Sequence, residues 1–487
     1  MASALRIAFA TSEVTPFAKT GGLADVSAAL PLQLHRLGHD VRLFTPLYST
    51  TNRDGHQLTR VDFAQNVEVK LGWRTYRFSL WTTPLSEEGP AVYFVDCPDL
   101  YRRPRIYTSD ADEPQRFALF SRAILESCQR MAWGPDVIHC NDWHTALVPL
   151  MRRTVYDWDA LFQTSRTLLT IHNIGYQGVF GADAIDGLGL AEWSHLFDQD
   201  ELRTGQVNCL RTGLIYADLL STVSPTYARE IQTDTYGMGL APLLRARSDR
   251  LVGILNGVDY DTWSPDKDHH IPHRYSRKRP AGKKKNKRYL LEELRFSGDE
   301  TAPLLGIVSR LAEQKGFDLC LPVLPEVLAT TDLRIITLGT GEARYEEFFS
   351  WLQQRFPGRV VFHRGYNDEL AHLIEAGADM LLMPSKYEPC GLNQMFSLRY
   401  GTIPIVRRTG GLADTVRPFD PQSGQGTGFL FDNFTPDGLR WAIDQTLRTY
   451  ADRPSWKLLM SNAMAENYSW ETQAQHYVEV YSWLVRL

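Results

Sequence analysis

Pro384-Ser385-Lys386-Tyr387-Glu388-Pro389-Cys390-Gly391-Leu392-Asn393-Gln394, with Tyr400-Gly401-Thr402-Ile403-Pro404-Ile405-Val406 and Thr409-Gly410-Gly411-Leu412-Ala413-Asp414 behind it, is the stretch whose reading decides the fold. The apolar run Met380-Leu381-Leu382-Met383, ended by Pro384, suits a buried strand, and Ile403–Val406 suits a second. The Pro-Cys-Gly turn opens a segment of helical spacing from Leu392 to Tyr400, and Gly410-Gly411 opens a further helix. Glu388 thus falls on a loop at a strand's end, facing a helix N-terminus, which is where open α/β sheets place their ligands. The unmatched amides of that helix start, beside Gly391, suit an anion.

The hexapeptide Thr409–Asp414 occurs a second time near the N-terminus, as Thr20-Gly21-Gly22-Leu23-Ala24-Asp25. Each copy follows an apolar run (Ile7–Ala10 or Ile403–Val406), has a cation before it (Lys19 or Arg408) and precedes a helical pattern. Two strand–glycine–helix units, one toward each end of the chain, point to two doubly wound α/β domains facing a shared cleft. The expected division is a first domain over 1–258, a second over 259–469 and a terminal helix over 470–487 that packs back across the domain junction.

A chain of 487 residues is too long for one core and fits two or three domains. A hydrophobic content of 43% with 22% charged residues is that of a globular protein. The net charge of −5 supplies no basic field, so nucleic acid is not an expected partner. Six cysteines without a CxxC pair argue against a zinc-thiolate site and a disulfide scaffold, and fit a reducing cytoplasm. Met1–Leu5 is too short and weakly apolar for a signal peptide, and no run reaches membrane-spanning length.

Leu5–Ala10 reads as the first strand, Val26–Leu37 as a helix and Asp40–Thr45 as the next strand. Thr51–Asp96 alternates and reads as an inserted hairpin region; a parallel rhythm returns at Val92–Val95, Asp136–Cys140 and Leu168–Asn173. The cationic cluster Lys283, Lys284, Lys285, Lys287 and Arg288 reads as a solvated linker running into a helix at Tyr289, in preference to a nucleic-acid patch. Polar residues stand just past three apolar strands of the first domain: Asn141-Asp142-Trp143-His144, His172-Asn173 and Asn256. Such edges line the ligand crevice of a parallel sheet.

In the second domain, Ser309-Arg310-Leu311-Ala312-Glu313-Gln314-Lys315-Gly316 follows the first strand. Arg310 and Lys315 can reach one ligand across that loop, and two fixed cations can neutralise a diphosphate without a metal. The Asp110-Ala111-Asp112 string precedes a helix and reads as helix N-terminal charge; no P-loop, GxSxG elbow or HExxH is present.

Lys19–Asp25, Ser309-Arg310 with Gln314-Lys315-Gly316, Asn256-Gly257-Val258-Asp259 and Glu388–Leu392 together resemble the bacterial glycogen synthases and plant starch synthases, from about Arg6 to Trp483. The resemblance implies a GT-B glucosyltransferase, built of two Rossmann-like domains about a central cleft, that moves glucose from ADP-glucose to the non-reducing 4-OH of an α-1,4-glucan, with retention and with no metal or other cofactor. It implies that Lys19 and Gly22 lie by the diphosphate and glucose, that Arg310 and Lys315 hold the leaving diphosphate, and that Glu388 hydrogen-bonds the donor glucose as the carboxylate most tied to turnover. It also implies backbone amides of Cys390, Gly391 and Leu392 on the glucosyl hydroxyls and phosphate, Tyr366 near the adenine and Thr409 near the phosphates. Asp25, Asp142, His172 and Asn256 would line the glucose and acceptor side, with glycogen or a maltooligosaccharide as acceptor. Asn393 stands where Thr is the commoner residue of this family, and Arg211 where Lys is. A UDP-sugar enzyme of the same fold and a non-catalytic glucan or nucleotide binder are the competing readings.

Overall fold

In the computed structural model, which describes residues 4–487, the chain separates into two α/β units. One contains the residues up to Val223, Ala228–Gly257 and Trp470–Leu487; the other contains Ser224–Tyr227 and Val258–Ser469. Met1–Ser3, part of the stretch judged too short for a signal peptide, lie outside the described residues.

The strands of the first unit are β1 (Arg6–Ala10), β2 (Asp40–Pro46), β3 (Thr59–Arg60), β4 (Val67–Leu71), β5 (Arg74–Pro84), β6 (Ala91–Asp96), β7 (Val137–Asn141), β8 (Arg166–Ile171), β9 (Val179–Gly181), β10 (Gln206–Asn208), β11 (Leu219–Thr222) and β12 (Leu251–Gly253). The main sheet runs β12-β11-β8-β7-β1-β2-β6-β5-β3, with β4 on β5, while β9 and β10 form a separate pair. From β12 to β6 every pairing is parallel; β5 is antiparallel to β3, β4 and β6, which makes the inserted hairpin region an antiparallel flank of the sheet. Strands such as β7 are buried along their whole length, which is why they read as unbroken apolar runs and not as alternating ones. The winding reverses between β1 and β7, so the loops leaving those two strands flank a crevice at the carboxyl edge.

The second unit holds β13 (Leu304–Val308), β14 (Arg334–Gly339), β15 (Val360–Arg364), β16 (Met380–Met383), β17 (Ile403–Arg407) and β18 (Phe429–Phe431). All are parallel, in the order β15-β14-β13-β16-β17-β18. Here the reversal lies between β13 and β16, the two strands that feed the Arg310–Lys315 and Glu388–Leu392 loops.

Two expectations need correction. Ser224–Tyr227 belong with the second unit and not the first, because Ser224 Oγ donates to the Pro389 carbonyl (2.7 Å) while Thr226 N and Oγ1 donate to the Asp414 carboxylate (2.7 and 2.6 Å). The basic cluster is not a solvated linker. It lies in a helix over Ala281–Glu293, where Lys283 and Lys287, one turn apart, both face inward. Lys283 Nζ donates to Thr402 Oγ1 (2.6 Å) and to the Glu375 and Ala376 carbonyls, and burial pulls its ammonium down to about 7. Lys287 Nζ donates to Asp379 Oδ2 (2.6 Å) and the Ala302 carbonyl (2.7 Å). The terminal helix Trp470–Leu484 is part of the first unit, with Trp470, Ala474, Tyr477, Tyr481 and Leu484 in one core with Phe9, Leu30 and Leu34.

All six cysteines are buried, and none forms a disulfide among the described residues. Among the described residues, no helix is long and apolar enough to cross a membrane.

Candidate functional site

The second unit's loops zip together beside the strand reversal. Gly316 sits at φ +73°, and a Cβ there would meet the Pro384 carbonyl oxygen at 2.0 Å, so only glycine lets the loop after β13 lie against the end of β16. Lys386 N donates to the Gln314 carbonyl (2.9 Å) in the same contact. The closure brings Lys315 to Glu388: Nζ reaches Oε2 at 2.7 Å, with the carboxylate buried and the ammonium nearly so. Ser385 Oγ donates to the same oxygen at 2.9 Å, while among the described residues Oε1 has no hydrogen-bond partner. Arg310, on the same loop, is exposed and makes no ion pair among the described residues.

Behind Glu388, Gly411 N donates to the Glu388 carbonyl (3.1 Å). A Cβ at Gly410 would lie 1.8 Å from that oxygen and one at Gly411 2.1 Å from the Cys390 carbonyl oxygen, so the Gly-Gly pair is demanded by backbone packed on backbone. Thr409 is fully buried at the start of this short helix, Gly410–Thr415. Gly391 takes φ +74° and Leu392 follows it into the helix Asn393–Tyr400. Gln394 Nε2 donates to the Cys390 and Gly391 carbonyls, and Asn393 Nδ2 donates to the Val308 carbonyl at 2.6 Å. Asn393 therefore pins the helix start to the end of β13. Tyr366 stands apart on an exposed loop after Gly365, its hydroxyl donating to Asp368 Oδ1 at 2.9 Å.

In the first unit the residues at the ends of β1, β7 and β8 converge. Asp142 holds φ +56° and ψ −174°, a conformation that costs a non-glycine residue about 1–3 kcal/mol and recurs at functional sites. It is held there by its own N–H on the Thr170 carbonyl (2.9 Å) and by the His172 N–H on its Oδ1 (2.7 Å). Burial pushes the Asp142 carboxyl up to about 7, against the hydrogen bonds from His172 and Asn173. Asn141 Nδ2 donates to the Ala10 carbonyl, which turns its Oδ1 toward His172 Nε2 at 2.8 Å. His172 must then carry its proton on Nε2 and offer Nδ1 as an acceptor; desolvation pushes its pKa down to about 3, so the ring is neutral.

Lys19 Nζ pairs with Asp25 Oδ1 at 2.7 Å, both side chains part-exposed. A pair in that setting contributes little to stability, and an arriving anion can take Lys19 over. Gly22 is the first residue of the helix Gly22–Arg36, and beside Gly21 a Cβ would meet nothing within 4 Å, so this backbone is open to close approach. Asn256 is buried, and its Oδ1 finds no hydrogen-bond partner among the described residues.

Two features went unforeseen. Glu13, buried, accepts from Thr20 Oγ1 (2.6 Å), Thr20 N, Gly21 N (3.1 Å) and Tyr107 OH (2.6 Å), so it shapes the turn that carries Lys19. Its position just past β1 was the available signal. Tyr107 lies in a stretch without periodicity and offered none. Asp112 is the N-cap residue of the helix Glu113–Arg130, as its position before that helix suggests, but its carboxylate makes no cap hydrogen bond, and both it and Asp110 pair with Arg103.

The family model "Starch synthase catalytic domain" matches residues 6–246, and "Glycosyl transferases group 1" matches residues 292–458. A glycogen synthase of Koribacter versatilis is 44% identical over 483 residues, covering 98% of each chain. A glycogen synthase of Bacillus cereus is 40% identical over 485 residues, covering 99% of this chain and all of the other. Among solved structures, the catalytic domain of starch synthase IV from Arabidopsis thaliana, bound to ADP and acarbose, superposes with a TM-score of 0.91 at 33% identity over the whole of both chains. Sucrose-phosphate synthase from Thermosynechococcus elongatus, at 17% identity and a TM-score of 0.61 over 99% of each chain, shares the fold.

Proposed function

From a chain that belongs to the glycogen synthase and starch synthase family of GT-B glycosyltransferases, we propose an ADP-glucose:α-1,4-glucan 4-α-glucosyltransferase that acts in the cytoplasm with retention of configuration. The second unit is the nucleotide-sugar side, and the first unit is the acceptor side. The observation that carries the reading is the Lys315–Glu388–Ser385 constellation at the strand reversal of the second unit, beside an unpaired Arg310.

In the proposed reaction the bond from glucose C1 to the β-phosphate oxygen of ADP breaks, and the acceptor O4 forms the new bond to C1 on the same face. The electron pair of the broken bond stays with ADP, and the O4 proton passes to the departing phosphate oxygen. Negative charge grows on ADP as this happens. Lys315, held by Glu388, and the amides from Cys390 to Leu392 are fixed before the reaction begins and stabilise that charge without reorganising, and Arg310, exposed on the same loop, turns onto the phosphates with them. Lys315 is oriented by Glu388, whose free Oε1 is left for a donor hydroxyl. Glu388 is not assigned as a nucleophile, since Oε2 already takes two donors. Thr409 lines the phosphates, and Tyr366, exposed on its loop, stacks on the adenine.

On the acceptor side, Lys19 leaves Asp25 for the diphosphate, with Gly22 letting the donor approach the helix start. Asp142, neutral His172 and Asn256, whose Oδ1 has no partner, bind sugar hydroxyls. No metal or other cofactor is part of this reading, since the charge on ADP is met by side chains and amides.

The test is glucose incorporation into glycogen from ADP-glucose and UDP-glucose in parallel, with EDTA present. Faster transfer from ADP-glucose is expected. A preference for UDP-glucose would discard the adenine assignment and keep the cation argument. No transfer from either donor, with tight nucleotide binding retained, would refute the reading in favour of a binding role.

A further inference from the structure

The geometry points to a binding site for one divalent cation of the zinc class at His270, Asp368 and His372 in the second unit. One ring nitrogen from each histidine and one carboxylate oxygen of Asp368 all lie within 4.8 Å of one another. The inference is independent of the glucosyl-transfer reading, which uses no metal.

Asp368 and His372 are four residues apart in the helix Asp368–Gly377, so they lie on one face, one turn from each other. His270 comes from the loop ahead of the basic helix. His372 is fully buried and rigidly held: its ring stacks on Trp263 (centroids 3.7 Å apart, 12° between planes), and Trp263 stacks in turn on Phe396 (4.1 Å, 1°). Its Nδ1 lies 2.9 Å from Asp268 Oδ2. That carboxylate also accepts from Tyr400 OH and from the His270 backbone N–H (2.8 Å). A carboxylate with those donors accepts the Nδ1 proton, and in that tautomer the lone pair lies on Nε2. That atom is buried without a hydrogen-bond partner among the described residues. A carboxylate on one imidazole nitrogen and a free lone pair on the other is the arrangement that orients histidine toward a metal.

The remaining two ligands can adjust. The His270 and Asp368 side chains are 37% and 50% exposed, and His270 Nε2 stands 4.0 Å from Asp368 Oδ2. Tetrahedral ligands about 2.0–2.1 Å from zinc are roughly 3.3–3.5 Å apart, so closure asks for about 1 Å or less of side-chain motion at that pair. Asp368 Oδ1 is already oriented by Tyr366 OH, so the cation would take Oδ2 with Tyr366 behind the carboxylate. Two imidazoles and one carboxylate select a zinc-like ion over magnesium or calcium, which prefer oxygen-only shells. Three protein ligands leave a fourth position open to water.

The experiment titrates the EDTA-stripped full chain with Zn²⁺ by calorimetry and with Co²⁺ by visible absorption, in the wild type, His270→Ala and Asp368→Asn. Both substitutions are on the exposed side of the cluster, and unchanged circular dichroism would verify the fold. The expected result is one ion per chain with Co²⁺ d–d bands, uncompeted by excess Mg²⁺, and affinity lowered more than about tenfold in each variant. Absence of one-to-one binding by the wild type would overturn the proposal. So would equal affinity in all three proteins, which would place the ion at another of the chain's 13 histidines.

Discussion

Replacing Lys315 by Met and Glu388 by Gln, singly and together, tests whether the two residues act as a unit. Lys315 Nζ and Glu388 Oε2 are 2.7 Å apart, and their side chains are 19% and 6% exposed, so water screens the pair weakly. Lys315→Met removes a cation from the departing phosphate and leaves the buried Glu388 carboxylate with Ser385 Oγ alone. Losing one preorganised donor to a developing negative charge costs about 2.7–4 kcal/mol, so kcat should fall roughly 10²–10³-fold. Glu388→Gln keeps the shape but not the charge that orients Lys315. A charge-assisted hydrogen bond contributes about 1.5–3 kcal/mol, which sets a loss of roughly 10–150-fold. Because each substitution already breaks the contact, the double variant should be no more than about tenfold slower than the worse single one. The assay is the initial rate of labelled glucose incorporation into glycogen, fitted for kcat and KM, with ADP affinity measured directly as a check on folding. Losses that multiply across the cycle, or a wild-type kcat in either single variant, would refute the coupling.

Gly410→Ala should lower the melting temperature by about 5 °C or more and abolish most activity, because its Cβ would meet the Glu388 carbonyl oxygen at 1.8 Å from a residue at φ +44°. Gly21→Ala, with open space at that position, should shift the melting temperature by less than about 3 °C; equal shifts in thermal denaturation would show that the two sites are packed alike. Asp142 supplies a pH prediction. An unfolded aspartate ionises near 3.8 and the folded one near 7, so between those values the native state holds a proton that the unfolded state has lost, and stability falls as pH rises through that window. Asp142→Asn should remove that slope, so its melting temperature should gain on the wild type from pH 4 to pH 7; parallel curves would mean the carboxyl is not raised.

The fold was legible because buried parallel strands leave unbroken apolar runs and the loops at their carboxyl ends leave polar residues. Glu388 and Lys315 were legible as members of loops, but their contact was not, since it depends on Gly316 letting those loops touch. The inward face of the basic helix was illegible for a different reason. Lys283 and Lys287 satisfy their donors on carbonyls, a hydroxyl and one carboxylate that lie far along the chain, and composition alone treats five cations as solvated. The histidine cluster escaped for the same reason, as His270 is about a hundred residues from Asp368 and His372 and forms no spacing with them.

The repeated hexapeptide carries a less obvious lesson about similar strings. In the first unit it follows β1, which borders the strand reversal; in the second it follows β17, which lies one strand beyond β16. An aligned duplication of a whole domain would have put the second copy after β13, where Ser309–Gly316 stands instead. The local demands differ as well. Gly410 and Gly411 are required by carbonyl oxygens of their own unit at 1.8 and 2.1 Å, whereas Gly21 faces nothing within 4 Å and its N–H is spent on Glu13. One copy is thus a packing device that holds the Glu388 loop in place, and the other leaves a helix start uncovered. If both had been selected for packing, alanine would be excluded from both; if both were selected for close approach of a ligand, neither would be filled by protein backbone. The structure meets neither condition, so each copy answers to its own unit, and identity of sequence at the two ends is no warrant for identity of role.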